Sequence, residues 1–347
     1  MIAVIADDLT GAAELAGIGH RFGLATILTR GDDIAPDAGL WVACTDSRSL
    51  PEAEARLRTR KIAENVIAAK PDWLFQKTDS VLRGHVLMEL RTLMEMTGSK
   101  QAILSPANPS LGRTIRNGKY FVNGIPVHEA GFATDPEFPI TSADVFSMLR
   151  AGPEEMSGIT IAEAGSLHDV TQLTQKVSPG TLPAGGSDFF RVLLAKQYQE
   201  RSQQEEEWGS PLLLISGTRY PERRNEWKQW NAEVIELSLH ADDTQLAMTG
   251  ERMIITFEKG DTTQTAAALR KYMATKVSML MAALQQPELI IEGGATAAAI
   301  LDELNETQLQ PVGELAQGVV RLRGRNACFT LKPGSYAWPQ MVKARLL

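Results

Sequence analysis

Cysteine is nearly missing from this chain. The only two, Cys44 and Cys328, lie far apart, each inside an apolar stretch. With no Cys-x-x-Cys pair and no Cys/His cluster, neither a zinc site nor a disulfide framework is expected. Two buried thiols of a reducing, cytoplasmic compartment are expected instead. A long basic run is also missing. The balance of 35 basic against 42 acidic residues gives a net charge of −7, which argues against nucleic acid or an anionic membrane surface as the main partner. No apolar run approaches the ~20 residues that span a bilayer. The N-terminus is apolar only from Met1 to Ala6, has no basic lead and runs straight into Asp7-Asp8, which is not the pattern of a signal peptide.

Several catalytic signatures are absent as well. There is no Gly-x₄-Gly-Lys-Ser/Thr loop, no Gly-x-Ser-x-Gly elbow and no protein-kinase set. Gly17-Ile18-Gly19 sits inside a helical stretch with the wrong spacing for a dinucleotide fingerprint. The five histidines, at 20, 85, 128, 168 and 240, have no metal-ligand spacing. His85 and His128 read as structural or surface residues.

What is present is the alternation of an α/β protein. Ile2 to Ala6 reads as a buried strand, with Thr10 capping a helix that begins at Gly11 and runs out at Gly23. Leu24–Thr29, Leu40–Ala43, Trp73–Phe75 and Ala102–Leu104 read as further strands, and Pro51 to about Lys70 as a helix. Strands alternating with helices imply parallel sheets. The segment from Asn108 to Pro139 is rich in Gly, Pro and Asn and carries short extended pieces such as Lys119–Val122, and its interleaved aromatics mark an ordered, functional loop. A helical stretch from Asp188 to Gln199 leads into a polar run, Arg201 to Glu207. A second unit starts at Leu212–Ile215 and includes strands at Glu288–Ile291 and Ala327–Leu331. The length of 347 residues and hydrophobic content of 44% suffice for two cores. The expected division is 1–200, a linker at 201–210, and 211–347. The expected architecture is two α/β domains whose mostly parallel sheets face an interdomain cleft.

Ligands of parallel sheets bind beyond the carboxyl ends of the strands. Asp7 and Asp8 follow the first strand. Adjacent carboxylates there could bind Mg²⁺, accept hydroxyl protons or hydrogen-bond a polyol; equally, one of them could cap the helix. Lys77, Asp79 and Arg83 crowd the turn before Gly84. The two cations suit a carboxylate or phosphate, and Asp79 suits a substrate hydroxyl. In the second half, Ser216-Gly217-Thr218 and Glu292-Gly293-Gly294-Ala295-Thr296 each follow a strand, and the latter opens a helix. Bare N–H groups at such turns bind phosphate. Lys332-Pro333-Gly334-Ser335 follows a third strand and could supply a cation.

Together these segments resemble the four-carbon acid sugar kinases. The motifs are Ile5–Ala12, Lys77–Gly84, Ser105–Pro109, Gly112-Arg113-Thr114, Val122–His128, Asp135-Pro136, Gly186–Phe189, Ser216-Gly217, Gly293–Thr296 and Leu331–Gly334. The resemblance implies an N-terminal acid-sugar domain, a C-terminal ATP domain, and ATP with Mg²⁺ as partners of the sugar acid; a homodimer stays open. It implies Asp7, Asp8, Lys77, Asp79, Arg83, Gly84 and Arg113 as substrate-side residues, with Asp8 or Asp79 catalytic. Ser216, Gly217, Gly293, Gly294, Thr296, Lys332 and Gly334 fall on the nucleotide side, and no metal ligand is assigned. The sequence departs from the family at Ala295, where an Asp is usual, and in the run 332–337. These departures imply weaker nucleotide binding with a greater need for Mg²⁺. A non-catalytic sugar-acid-binding protein is the rival reading.

Overall fold

Ile2–Ala6 has no polar side chain and lies buried throughout as strand β1. It is an interior strand of a seven-stranded parallel sheet in the computed structural model of the chain, which describes residues 1–135, 137–152, 154–202, 206–217, 225–238, 250–258, 264–334 and 336–347. The chain divides into two compact units, Met1–Arg201 and Ser202–Leu347.

In the first unit, β1 is followed by β2 (Thr26–Arg30), β3 (Leu40–Cys44), β4 (Trp73–Lys77) and β5 (Gln101–Ser105). Then β6 (Arg113–Arg116), β7 (Lys119–Val122) and β8 (Ile125–Pro126) form a small antiparallel sheet. With β9 (Ile159–Ile161) and β10 (Thr181–Gly185), the main sheet runs β2-β3-β1-β4-β10-β5-β9, every pair parallel. The chain leaves β1 toward β2 and β3 on one side and returns to β4 on the other. The ends of β1, β3 and β4 are therefore the switch point at which a parallel sheet opens a crevice.

Helices α1 (Leu9–Arg21), α2 (Glu52–Ala68), α3 (Val86–Thr97), α4 (Val145–Leu149), α5 (Leu167–Leu173) and α6 (Ser187–Leu194) complete this unit. α1 and α5 pack on α6, and α2 packs on α3. Phe75 of β4 meets Phe189 and Phe190 of α6 with ring centroids 6.0 and 5.2 Å apart. Asp8, not Thr10, caps α1, accepting from Gly11 N at 3.0 Å. Thr10 lies within the first turn, and its hydroxyl donates to Asp8 instead.

In the second unit, β11 (Leu212–Ser216), β12 (Glu233–Leu237), β13 (Arg252–Phe257), β14 (Glu288–Glu292), β15 (Gln308–Ala316), β16 (Val319–Arg323) and β17 (Cys328–Lys332) run in the order β12-β13-β11-β14-β17-β16-β15. The first five are parallel, and β16 and β15 return antiparallel. Helices α7 (Ala266–Met281), α8 (Gly294–Glu303) and α9 (Gln340–Leu346) belong here. Trp230 and Trp338 meet edge to face in its core.

The polar run expected as a linker is tied at both ends. Arg201 N donates to Arg21 O at 2.7 Å. The carbonyls of Glu206 and Glu207 accept from Arg321, whose guanidinium also stacks on Trp208. Residues 203–205 lie outside the described residues, as do His240, Thr218 and Ser335 of the sequence-based expectations. Cys44 is buried, whereas Cys328 is only half-buried, contrary to expectation; both are free thiols.

Candidate functional site

β1, β3 and β4 end level with one another, Ala6 pairing with Cys44 and with Lys77. The turns that follow meet above this edge. Arg48, from the turn after β3, donates through Nε and Nη2 to Asp7 at 2.6 and 2.9 Å, and through Nη2 to Asp8 at 2.8 Å. Its Nη1 lies 3.5 Å from Asp79. Asp79 in turn accepts from the backbone N–H groups of Val81 and Arg83, and from Arg83 Nε and Nη2 at 3.0 and 2.8 Å. This turn closes through Leu82 and Gly84, both at positive φ. A side chain on Gly84 would place Cβ 2.9 Å from Arg48 Cγ, so glycine is what lets Arg48 pass.

Lys77 is the last residue of β4, not part of the turn, and is buried. Its ammonium donates to Thr78 O at 2.9 Å and lies 3.6 Å from Glu14. A Cβ at Gly11 would come 2.6 Å from Asp8 Oδ1 and 3.2 Å from that ammonium, so a side chain here would push on both.

The three aspartates differ in acidity because their surroundings differ. Burial raises Asp7 and Asp8 adds to that effect, so Arg48 only partly offsets the shift and the net movement is upward. Burial also opposes ionisation of Asp8, but Arg48, Lys77 and the Thr10 hydroxyl outweigh it and hold Asp8 below the usual range. For Asp79 burial is overcome more completely, by Arg83 and Arg48, and its carboxyl lies well below the usual range.

The long Gly/Pro/Asn segment brings a further cation and acid. Arg113 bonds Ser80, and both Arg113 and Arg83 lie over the Phe132 ring, at 5.9 and 6.0 Å. The remaining nitrogen of Arg83, Nη1, donates to Asp135 at 2.9 Å. The segment is latched to the start of α6. Asp188 accepts from Ser110 N and Oγ, and Asn108 bonds both Asp188 N and Ser187.

In the second unit, Ser216, Glu292 and Lys332 are register partners across β11, β14 and β17. Ser216 Oγ donates to Glu292 at 2.5 Å, and Lys332 Nζ donates to the other carboxylate oxygen at 2.9 Å. Lys332 is 0% exposed and stacks on Trp338 at 4.7 Å. Beyond this row Gly293, at φ 97, opens α8, its own N–H taken by Lys332 O. Cβ positions at Gly217 and Gly293 would lie 3.6 and 3.8 Å from the Thr296 hydroxyl, so the two glycine turns converge on Thr296. Among the described residues nothing lies within 4 Å of a Cβ at Gly334, and Ala295 is exposed in the first turn of α8.

All seven substrate-side residues expected from the sequence thus gather at one sheet edge. Ser216, Gly217, Gly293, Gly294, Thr296 and Lys332 gather at another, Lys332 pointing inward onto Glu292. Sequence reasoning did not single out Arg48, Asp135 or Glu292 as functional. Arg48 follows the third strand and was open to the same strand-end rule. Asp135 stood in a quoted motif and Glu292 at a quoted strand end. A cavity of about 540 Å³, lined by Lys70, Trp73, Ser178, Thr181 and Lys196, lies at the starts of β4 and β10, away from this chemistry. Among the described residues no group of three or more His, Cys, Asp or Glu gathers for a metal.

Comparison with known proteins places residues 2–180 in the family of the sugar-binding N-terminal domain. A 3-oxo-tetronate kinase of Brucella melitensis is 33% identical over 183 residues, covering 48% of this chain and 40% of that kinase. A D-threonate kinase of Bordetella bronchiseptica is 26% identical over 366 residues, covering 92% and 88%. The chain therefore spans less than half the length of the first relative and most of the second. Crystal structures of proteins from Salmonella typhimurium and Haemophilus influenzae share the fold. Their TM-scores are 0.77 and 0.70, each at 18% identity, and they cover 100% and 97% of this chain and 99% and 97% of their own.

Proposed function

The chain belongs to the four-carbon acid sugar kinase family, and from that premise we propose that it transfers a phosphoryl group from ATP to a hydroxyl of a four-carbon sugar acid. The observation that carries this reading is the set of Asp7, Asp8, Arg48, Asp79, Arg83 and Arg113 at the switch point of the first sheet. A small polyhydroxy acid needs an anion-binding cation and several hydroxyl acceptors in one place, and this edge supplies both. The names of the relatives, 3-oxo-tetronate kinase and D-threonate kinase, support the enzyme over the non-catalytic rival.

The roles follow from the bonds each group already makes. Asp79 spends its oxygens on the turn and on Arg83, so it anchors Arg83 and does not take the hydroxyl proton. Asp8 is only half-buried and reaches the surface, so it orients the attacking hydroxyl. Its depressed pKa makes it a weak base, which phosphoryl transfer tolerates because little bond formation precedes the loose transition state. Arg83 Nη1 and Arg113, beside Phe132, receive the substrate carboxylate, which competes with Asp135 for Arg83. The hydroxyls of Thr78 and Ser105 are buried without a hydrogen-bond partner, polar capacity that bound polyol or water satisfies.

On the nucleotide side, amides of the first turn of α8 and the Thr296 hydroxyl face phosphate. Lys332 keeps Glu292 paired and does not itself reach the ligand. No carboxylate set for a metal is formed by the described residues; the Mg²⁺ in this reading is the ion carried by the triphosphate with its waters. The test is ADP release with ATP, Mg²⁺ and each of D-threonate, D-erythronate and 3-oxo-tetronate. Saturable release with at least one acid is expected. Binding of an acid by calorimetry with no release from any would establish the non-catalytic rival.

A further inference from the structure

Beneath Asp7 and Arg48 lies a carboxyl group that the proposed chemistry does not use. Glu89, on α3, is 4% exposed. Its Oε1 lies 2.5 Å from Ser47 Oγ, Ser47 Oγ lies 2.7 Å from Thr45 Oγ1, and Thr45 Oγ1 lies 3.0 Å from Ala6 O. Ser47 and Thr45 are buried too. Thr45 N also donates to Ala6 O at 2.8 Å, so the hydroxyls can point either way along this chain. With Glu89 neutral, Oε1 donates to Ser47, Ser47 to Thr45 and Thr45 to Ala6 O, while Oε2 faces Gln76 Nε2 at 3.5 Å. With Glu89 ionised the chain reverses and the Thr45 hydroxyl leaves Ala6 O. An ionised carboxylate would also be buried with one hydroxyl donor, a distant amide and, among the described residues, no cation in ion-pair range, a state that burial disfavours.

The chain of hydroxyls ends on the turn that carries the central arginine. Ser47 N and Arg48 N both donate to Asp7 O, at 2.9 and 3.3 Å, so this turn lies directly over Asp7. We propose that Glu89 is a positioning residue that acts as a neutral acid: its proton completes the hydroxyl chain that seats the Thr45–Arg48 turn, and loss of that proton unseats Arg48 and weakens the sugar-acid site. The charged groups facing Glu89 are Asp7, from the turn after β1, and Arg48, from the turn after β3; Gln76 of β4 and Ser47 are neutral. Burial first, and then the Asp7 charge, push Glu89 up to about 8, with Ser47, Arg48 and Gln76 opposing. That agrees with a buried carboxyl that has no cation in contact.

The kinetic part of this inference rests on the sugar-acid reading; the protonation part does not. The experiment measures acid affinity by calorimetry from pH 6.5 to 9.5, and melting temperature from pH 4 to 9, for wild type, Glu89→Gln and Glu89→Leu. Wild-type affinity is expected to fall as pH passes about 8, by about tenfold at one pH unit above the midpoint. Glu89→Gln, whose amide still donates to Ser47, keeps the neutral-pH affinity and lacks this step. Glu89→Leu loses affinity roughly ten- to a hundredfold at every pH.

The melting temperature reads the proton directly. The unfolded state loses it near 4.5 and the folded state near 8. The stabilisation is therefore complete below the first value and disappears as pH rises through the second. Wild type should lose melting temperature across that window relative to Glu89→Gln. A parallel pH course for wild type and Glu89→Gln overturns the proposal, and so does a Glu89→Gln variant as impaired as Glu89→Leu. If no acid binds wild type at any pH, the sugar-acid reading fails and the melting curves still decide the state of Glu89.

Discussion

Arg48 bonds carboxylates drawn from the turns after β1 and β4, while Arg83, the arginine favoured by sequence, spends two nitrogens on Asp79 and one on Asp135. The three aspartates could not ionise side by side without Arg48, since like charges in a low-dielectric site oppose one another. Arg48→Ala is therefore expected to cost about 3–5 kcal/mol in stability and to abolish measurable acid binding. Arg48→Lys restores little, because one ammonium cannot replace a planar fork that reaches three carboxylates. Urea denaturation and calorimetry of both variants check this; an Arg48→Lys protein with wild-type affinity would contradict it. The residue types at the site were legible because strand ends collect function. The division of labour was not, because it depends on which oxygens are already taken. Asp79 reads as a base from its position, whereas the bonds it accepts from the Val81 and Arg83 amides show only in the structure, as does the contact of Lys332 with Glu292.

At the scale of elements, strands with unbroken apolar runs were plain in the sequence: β1, β3, β11 and β14 fall where periodicity puts them. β10 did not declare itself. It sits between β4 and β5, yet carries Pro183 and Gly185, residues that normally argue against a central strand. Gly185 is required there, because a Cβ would lie 2.0 Å from Ser105 O. The 108–139 segment was read as one functional loop with short extended pieces such as Lys119–Val122; that piece is β7, and its pairing with β6 and β8 into a small sheet was not foreseen. Its hold on the rest is the latch from Asn108 and Ser110 to the start of α6. Asp188→Ala removes the acceptor of two of these bonds and should loosen the segment that carries Arg113, Phe132 and Asp135. The expected result is faster amide exchange across 108–135 and acid affinity weaker by roughly tenfold, with nucleotide affinity unchanged. Unchanged exchange would show that the small sheet holds itself.

For the whole molecule, the sequence suggested two α/β units because a polar run separates two sets of buried strands. Compact units at Met1–Arg201 and Ser202–Leu347 are found. Each unit presents its polar residues at the carboxyl ends of parallel strands, and among the described residues no helix is long and apolar enough to cross a membrane. In the proposed reaction the first unit binds the sugar acid, the second binds the triphosphate, and phosphate moves to a hydroxyl oriented by Asp8. The most direct test is phosphorus NMR of ATP, Mg²⁺ and D-threonate incubated with wild type and with Asp8→Asn. The account predicts a new phosphate-ester resonance growing in step with ADP for wild type, and a strongly slowed one for Asp8→Asn. ATP left intact by wild type with every four-carbon acid, or ADP accompanied only by inorganic phosphate, would contradict it.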